Sequence, residues 1–461
     1  MSEQAKLFLQ ASREKTKDLA HRHKMNHALK QSDDAFEKGK ARFANLELLR
    51  DWAHAIKRHT IEQLDTYLCE FEQNFTQRGG KVIWAQTPKD AVDAIKAICR
   101  KHAAKTVVKS KSMVTEEIHL NNALADADVD VIETDLGEYI QQLAGEAPYH
   151  IVAPSLHKSK EEVAQLFEEK LGANPGLQPA QLTRVARKIL RKKFSEATVG
   201  ITGVNFLLAD IGGVVVTENE GNGRLVTGLP KVHIAVTGIE KILPSVHQLS
   251  LFLPLLATHG SGQQLTVYNS IFTGPKGAAE TDGPEEMYVI LLNNGRTKLL
   301  ADPVARESLY CIRCGACLNI CPVYKNIGGH AYNATYSGPI GAVVTPHLQG
   351  LNENVHLSYA SSLCGGCTTV CPVRIPLHNL LLYNRQQAVE KRCNNSAEKA
   401  AFWGWKQVML SRKLMNAGGG NAKNNVFAMI MSGIWGKDRA LPVFPKKNFS
   451  QQWKIRKRHE R

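Results

Sequence analysis

Seven of the ten cysteines fall into two short runs in the last third of the chain. The first run is Cys311-Ile-Arg-Cys314-Gly-Ala-Cys317-Leu-Asn-Ile-Cys321-Pro322, a C-x2-C-x2-C-x3-C-P pattern. Thiolates three residues apart wrap a cubane iron-sulfur cluster only in a tight loop, whose backbone N–H groups point at the sulfur atoms and offset the negative charge. Gly315 lets that backbone come close. The last cysteine of such a run typically ligates a second cluster, so a companion run is expected. It is present as Ser361-Ser-Leu-Cys364-Gly-Gly-Cys367-Thr-Thr-Val-Cys371-Pro372, which repeats the first position by position except that Ser361 stands where the first cysteine should be.

Cross-ligation gives cluster one Cys311, Cys314, Cys317 and Cys371, a complete set. Cluster two receives Cys321, Cys364 and Cys367 and lacks a fourth thiolate. A [3Fe-4S] cluster, a [4Fe-4S] cluster with an open or non-cysteine fourth ligand, and a ligand from a partner chain all satisfy this count. Cys393 could supply the missing sulfur, but its distance from the motif and its setting in KRCNN favour a plain unliganded cysteine. Zinc on Cys311, Cys314, Cys364 and Cys367 is the competing metal reading, but it leaves Cys317, Cys321, Cys371 and both Cys-Pro pairs unexplained. Cys69 and Cys99, like Cys393, are scattered and suggest no disulfide framework.

A chain of 461 residues calls for two or three folded units. Residues 1–75 are rich in Lys, Glu, Gln, Ala and Leu, with helix-spaced apolar positions at Leu46, Leu49, Trp52 and Ile56, and read as an N-terminal helical segment. After Gly79-Gly80 the texture changes to β-branched runs alternating with helical stretches. Lys81 to Ala85, Thr106 to Ser110, Val129 to Thr134, His150 to Pro154, Ala197 to Thr202 and Gly212 to Glu218 read as strands, followed by His233 to Gly238 and Tyr288 to Asn293. Pro88 to Lys101 and Ser159 to Leu171 read as helices. Such alternation predicts an α/β fold with a Rossmann-like parallel sheet over residues 76–300. Residues 301–395 read as a helical ferredoxin-like domain. Residues 396–461 read as a basic arm, with a Gly/Asn-rich linker at Asn416 to Asn425 and an extended LPVFPKKNF segment.

The net charge is +15. Six basic residues and no acid lie between Arg184 and Lys193, and the tail WKIRKRHER is similarly loaded. A solvated helix face plus a frayed terminus explains most of this; an acidic redox partner or a peripheral membrane contact is the alternative. Nucleic acid is not expected, since no recognition signature accompanies the charge. The apolar stretch Ile242 to Ala257 is broken by Pro244, His247, Gln248, Ser250 and Pro254, so no membrane span is expected. The first residues carry no secretory pattern, which, with exposed-to-oxidation thiols, predicts a cytoplasmic protein.

The paired motifs, with SSLCGGC followed by CPVRIPLH, resemble the two-cluster ferredoxin domains of the lactate utilisation protein B family, and more distantly those of glycerol-3-phosphate dehydrogenase and heterodisulfide reductase iron-sulfur subunits. KSKSMVTEEIHLN (Lys109 to Asn121), TDLGEYIQQLA (Thr134 to Ala144), Gly203 to Leu225, and the tail with Pro442, Phe444, Pro445 and Trp453 resemble the same family. The resemblance implies a lactate-utilisation domain related to the ribose-5-phosphate isomerase and CoA-transferase folds. It also implies electron carriage in oxidation of L-lactate to pyruvate, with lactate utilisation proteins A and C as partners.

Other candidates are weaker. Glu218 and Glu220 follow a strand, where a carboxylate can act chemically, yet turn residues look the same. Lys109-Ser-Lys-Ser112, with Glu116, suits an anion or a plain helix cap. Gly274 lies in a turn that offers only a weak anion cradle. His21, His23 and His27 could bind metal but read first as a solvated helix face. No G-x-G-x-x-G follows a strand, so no nicotinamide or flavin site is expected. A hydroxy acid loses two electrons whereas clusters pass one at a time, so a partner or an unrecognised site is needed for the chemistry. An iron-sulfur electron-transfer subunit is therefore the leading reading. The rivals are an enzyme whose α/β domain itself acts on a small organic acid, and a cluster-dependent scaffold or sensor.

Overall fold

The computed structural model describes residues 2–393, 396–435 and 440–459. It divides into two compact units, residues 1–391 and 392–461. The architecture of the first is mixed α/β, with a helical N-terminus, a parallel sheet and a helical cysteine region.

Ten strands are present among the described residues: β1 Lys81–Ala85, β2 Thr106–Lys109, β3 Asp130–Glu133, β4 Val199–Gly203, β5 Phe206–Leu208, β6 Gly213–Glu218, β7 Val232–Gly238, β8 Ile242–Leu243, β9 Tyr268–Phe272 and β10 Glu286–Leu292. Six form a wholly parallel sheet in the order β1-β10-β7-β4-β2-β3. Its central strands are buried on both faces and correspondingly rich in Val, Ile and Leu. Helix Pro88–Lys101 shows why these crossovers are legible: Thr87 and Asp90 form a capping box, Pro88 opens the helix, and Ala91, Ile95 and Ile98 face inward. The chain runs from β2 to β3 on one side and returns to β4 on the other. This reversal makes the β2/β4 edge the switch point of the sheet, where such folds place ligands.

A second sheet, β8-β5-β6-β9, pairs β6 antiparallel with both β5 and β9. The strand expected from Gly212 to Glu218 is therefore real but lies in this sheet and not in the parallel one. The strand expected at His150 to Pro154 is absent. His150 Nδ1 accepts hydrogen bonds from the N–H groups of Val152 (3.1 Å) and Ala153 (3.2 Å), and this local bonding replaces a strand ladder.

Four helices precede the sheet: Glu3–Lys17, Leu19–Lys40, Leu46–Glu62 and Leu64–Gln77. The third is capped by Asn45, whose side chain accepts from Leu48 N–H. Leu46, Leu49 and Ile56 pack against the core as expected, but Trp52 is exposed and the buried stripe is Arg50, Ala53, Lys57, Thr60 and Ile61. His21 is also not solvated, being buried with Nε2 2.5 Å from Tyr149 Oη. One continuous apolar core joins these helices, the second sheet and the cysteine region.

The second unit contains helices Ser396–Leu410, Arg412–Asn416, Gly420–Trp435 and Phe449–His459, so it is largely helical and not an extended arm. The expected linker at Asn416 to Asn425 is helical from Gly420, whereas residues 441–445 are non-helical, as their two prolines dictate. Among the described residues no helix is long and apolar enough to cross a membrane.

Candidate metal centre and adjoining cleft

The two cysteine runs fold as two copies of one loop. Arg313 and Leu363 adopt left-handed φ of 61° and 55°, and Gly315 and Gly365 follow at 81° and 79°. Each glycine precedes a five-residue helix, Ala316–Ile320 or Gly366–Val370, which ends at Cys321 or Cys371 in extended conformation before proline. The turn places amides on sulfur: Arg313 N–H donates to Cys311 Sγ, and Ile375 N–H to Cys371 Sγ, both at 3.4 Å. In the second copy Leu363 N–H donates to Ser361 Oγ at 3.1 Å. Ser361 thus stands in the position of Cys311.

The thiols separate into two groups. Cys311, Cys314, Cys317 and Cys371 line one small cavity closed by apolar side chains such as Ile340 and Ile375. Burial, reinforced by the other thiols of this set, raises Cys314 and Cys317 far above the usual thiol range and pushes Cys371 up to about 12. Burial also raises Cys321 and pushes Cys367 up to about 11, with Cys364 acting on both and Cys321 on Cys367. The proposed zinc set is not brought together, since Cys311 and Cys314 belong to one group and Cys364 and Cys367 to the other. Tyr324 and Tyr332 interact with Cys317 and with Cys321, one thiol from each group. The donor set fits iron-sulfur chemistry: soft thiols, grouped in two sets, with backbone amides on sulfur, whose thiolate forms a bound cluster would stabilise against burial. Cys393 lies in the second compact unit.

Helix Leu46–Glu62 clamps the second loop. Arg50 donates from Nε and Nη2 to Cys371 O (3.0 and 2.9 Å) and from Nη2 to Thr369 O (2.6 Å), and His54 Nδ1 lies 3.0 Å from Val373 O. Arg374, with φ of 50°, pairs back to Glu47 at 2.9 Å. No local pattern announces Arg50 as a clamp. The signal available is a basic residue on the same stripe as Ala53 and Ile61.

A cleft of about 390 Å³ opens at the carboxyl ends of β2, β3, β4 and β7, on the switch point. Ser110, Lys111 and Ser112 from the expected KSKS segment line it, as do Asp135, Asn205 and Glu220. Lys109 does not reach it: that ammonium is fully buried, 2.8 Å from Glu133, 3.2 Å from Glu116 and 3.9 Å from Glu138. Ser112 caps helix Met113–Glu117 by accepting from Thr115 N–H, and Lys111 donates to Val152 O at 2.8 Å. Glu218 also borders the cleft, but both its oxygens are taken by the N–H groups of Gly223 (2.7 Å) and Arg224 (2.8 Å). Glu220 accepts from Leu136 N–H at 3.0 Å; burial, then Asp135, raises its carboxyl above the usual range. Gly274 packs near Arg78 and is not part of this cleft.

The far wall of the cleft is the first cysteine loop itself. Ile151, Arg313 and Cys314 line both the cleft and the thiol cavity. Lys241 and Tyr336 complete that wall. Lys241 was not singled out from sequence, although a lysine just beyond the carboxyl end of a predicted parallel strand is a usable signal. A buried ion network supports the wall: Arg296 pairs with Glu117 (2.8 Å) and Glu240 (2.6 Å), and Arg313 approaches Glu240 at 3.7 Å while stacking over Tyr336.

Residues 68–292 match the LUD domain model and residues 307–375 the 4Fe-4S dicluster domain model. "Lactate utilization protein B" of Bacillus velezensis is 49% identical over 348 residues, covering 75% of this chain and 73% of that protein. The chain belongs to the lactate utilization protein B family. The lactate utilization protein B of Bacillus cytotoxicus is 48% identical over 347 residues, with the same 75% and 73% coverage. Among solved structures, a DUF162 family protein from Deinococcus radiodurans covers 50% of this chain and 98% of its own, at 14% identity and a TM-score of 0.30, a likeness too low for argument. For this lactate utilization protein B family member, the dicluster match coincides with both cysteine loops, so the chain is an iron-sulfur protein of lactate utilisation.

Proposed function

We propose that this chain is the electron-transfer subunit of a cytoplasmic complex that oxidises L-lactate to pyruvate, with lactate utilisation proteins A and C as its partners. The observation that carries this reading is the partition of seven thiols, all but Cys364 buried or half-buried, into a group of four around one cavity and a group of three formed by Cys321, Cys364 and Cys367. Cys311, Cys314, Cys317 and Cys371 are assigned to a [4Fe-4S] cluster. Cys321, Cys364 and Cys367 are assigned to a second, whose fourth ligand is not a cysteine of this motif and which is [4Fe-4S] or [3Fe-4S]. When bound, such clusters supply one-electron carriers. The chain's own residues hold the loops in register: Arg50 fixes the carbonyls on either side of Val370, and the buried rings of Tyr324 and Tyr332 interact with Cys317 and Cys321. Cys364 is exposed, which puts the three-thiol group at the surface where a partner can dock.

Anaerobic purification followed by iron counting and EPR tests the assignment. Iron for more than one cluster per chain and a reducible signal are expected, and a chain without any reducible signal would sink it. A second reading, in which the α/β domain itself turns over a small organic acid, is favoured by the wall that the cleft shares with the four-thiol cavity. Reduction of an artificial acceptor by L-lactate and the isolated chain would select it over a pure carrier.

A further inference from the structure

We infer that the α/β cleft is a binding site for a small 2-hydroxy or 2-oxo carboxylate, whose carboxylate group is taken by Lys241 and Arg313 beside Cys314. The inference rests on the lactate-oxidising reading for the identity of the acid, but the site is argued from the cleft alone.

Three observations converge. The cleft has the size of a small-molecule site and lies at the switch point of the parallel sheet, so it is concave and pre-formed. Its inner wall carries cationic donors that the protein leaves incompletely partnered, although Arg313 Nη2 approaches Glu240 at 3.7 Å. Lys241 is only 5% exposed, yet its ammonium makes no hydrogen bond or ion pair to any described residue, and Arg313 Nη1 is buried without a partner. Burying a cation without a full set of partners is costly, and a bound anion is one way to satisfy it. The surrounding charge does not complete it either: Lys57, Lys241, Arg296 and Arg313 face only Glu117 and Glu240, and Glu240 is already engaged by Arg296. Glu220, Asn205 and Ser112 also line the cleft and carry polar groups for the oxygen on the adjacent carbon.

The plainer account is that these cations only offset the charge of thiolates at Cys311 and its neighbours. Lys57 shows what such a residue looks like. It too interacts with Cys311, but its ammonium is satisfied by Glu240 O (2.7 Å) and Ile242 O (3.3 Å), and it does not line the cleft. Lys241 differs on both points, and Arg313 lines the cleft with Nη1 unpaired while its Nη2 approaches Glu240.

The test is anaerobic titration calorimetry of the iron-loaded chain with L-lactate, with pyruvate and with lactamide, the neutral amide of lactate. Saturable binding of both acids in mutual competition is expected, with lactamide weaker by about tenfold or more. Lys241→Met should weaken the acids by a similar factor with iron content unchanged, and Lys241→Arg should restore most of the loss. Absence of saturable binding, or equal binding of lactamide and lactate, overturns the inference, as does wild-type affinity in Lys241→Met. If Lys241→Met fails to load iron, the comparison of lactate with lactamide on the unaltered chain decides alone. The two readings fail separately: iron and EPR signals without acid binding remove the cleft site, whereas acid binding without a reducible signal removes the electron carrier.

Discussion

Ser361 occupies in the second cysteine loop the position that Cys311 occupies in the first, each accepting the N–H of the residue two places on, Leu363 or Arg313. The loop around Ser361 is therefore already shaped for a thiol. Ser361→Cys is expected to fold normally and to supply a fourth thiolate to Cys321, Cys364 and Cys367. Any [3Fe-4S] EPR signal of the wild type should disappear, and iron per chain should stay equal or rise. Persistence of that signal in a fully loaded variant would show that Ser361 does not face the cluster.

Arg50 connects the N-terminal helices to the second loop. Arg50→Met removes three hydrogen bonds to Cys371 O and Thr369 O from a nearly buried side chain. A loss of about 2–3 kcal/mol is expected, with faster iron loss under a chelator. Chelation kinetics against wild type, on samples of equal starting iron, measure it.

Arg296 is the centre of the buried ion network. Arg296→Met leaves Glu117 and Glu240 without their main partner and should cost about 3–5 kcal/mol near neutral pH. Burial alone would raise the Glu240 carboxyl, but Arg296, then Arg313 and Lys241, hold it down at about 2. A depressed carboxylate stabilises above its ordinary value of 4.5 and loses that contribution as pH falls toward 2. The gap between variant and wild type in denaturant midpoint should therefore shrink as pH is lowered through this window.

Glu138 behaves oppositely. Burial, then Glu133, raises its carboxyl well above the usual range despite Lys109, and neither oxygen has a hydrogen-bond partner. The protonated form is the one that the fold accepts, so stability falls as pH rises from 4.5 through the folded value. Glu138→Gln should match wild type in acid and gain relative to it as pH rises. Melting temperature measured across that range checks the crossover, and a constant difference would refute it.

The parts read correctly from sequence are those with a local cause. The β-branched runs of β2, β4 and β7 and the capped helix Pro88–Lys101 carry their own periodicity and caps, and the cysteine loops carry spacing dictated by their ligand. His150 to Pro154 misled because a side chain can outcompete a strand ladder over three residues. The second sheet was obscured because β5 and β8 are only three and two residues long and β9 alternates in exposure. Arg50 and Lys57 were not legible because their carbonyl partners lie far away in sequence.

Read in order, the chain consists of helices, then a sheet domain, then cysteine loops, as though assembled from separable modules. The grip of helix Leu46–Glu62 removes that independence: Arg50 holds the last loop while Lys57 holds the segment entering β8. The first and last of these parts are fastened to each other as well as to the middle. A fragment lacking the N-terminal helices would lose the scaffold of the loops that it still encodes, and exchange of one module between relatives would require exchange of both ends together.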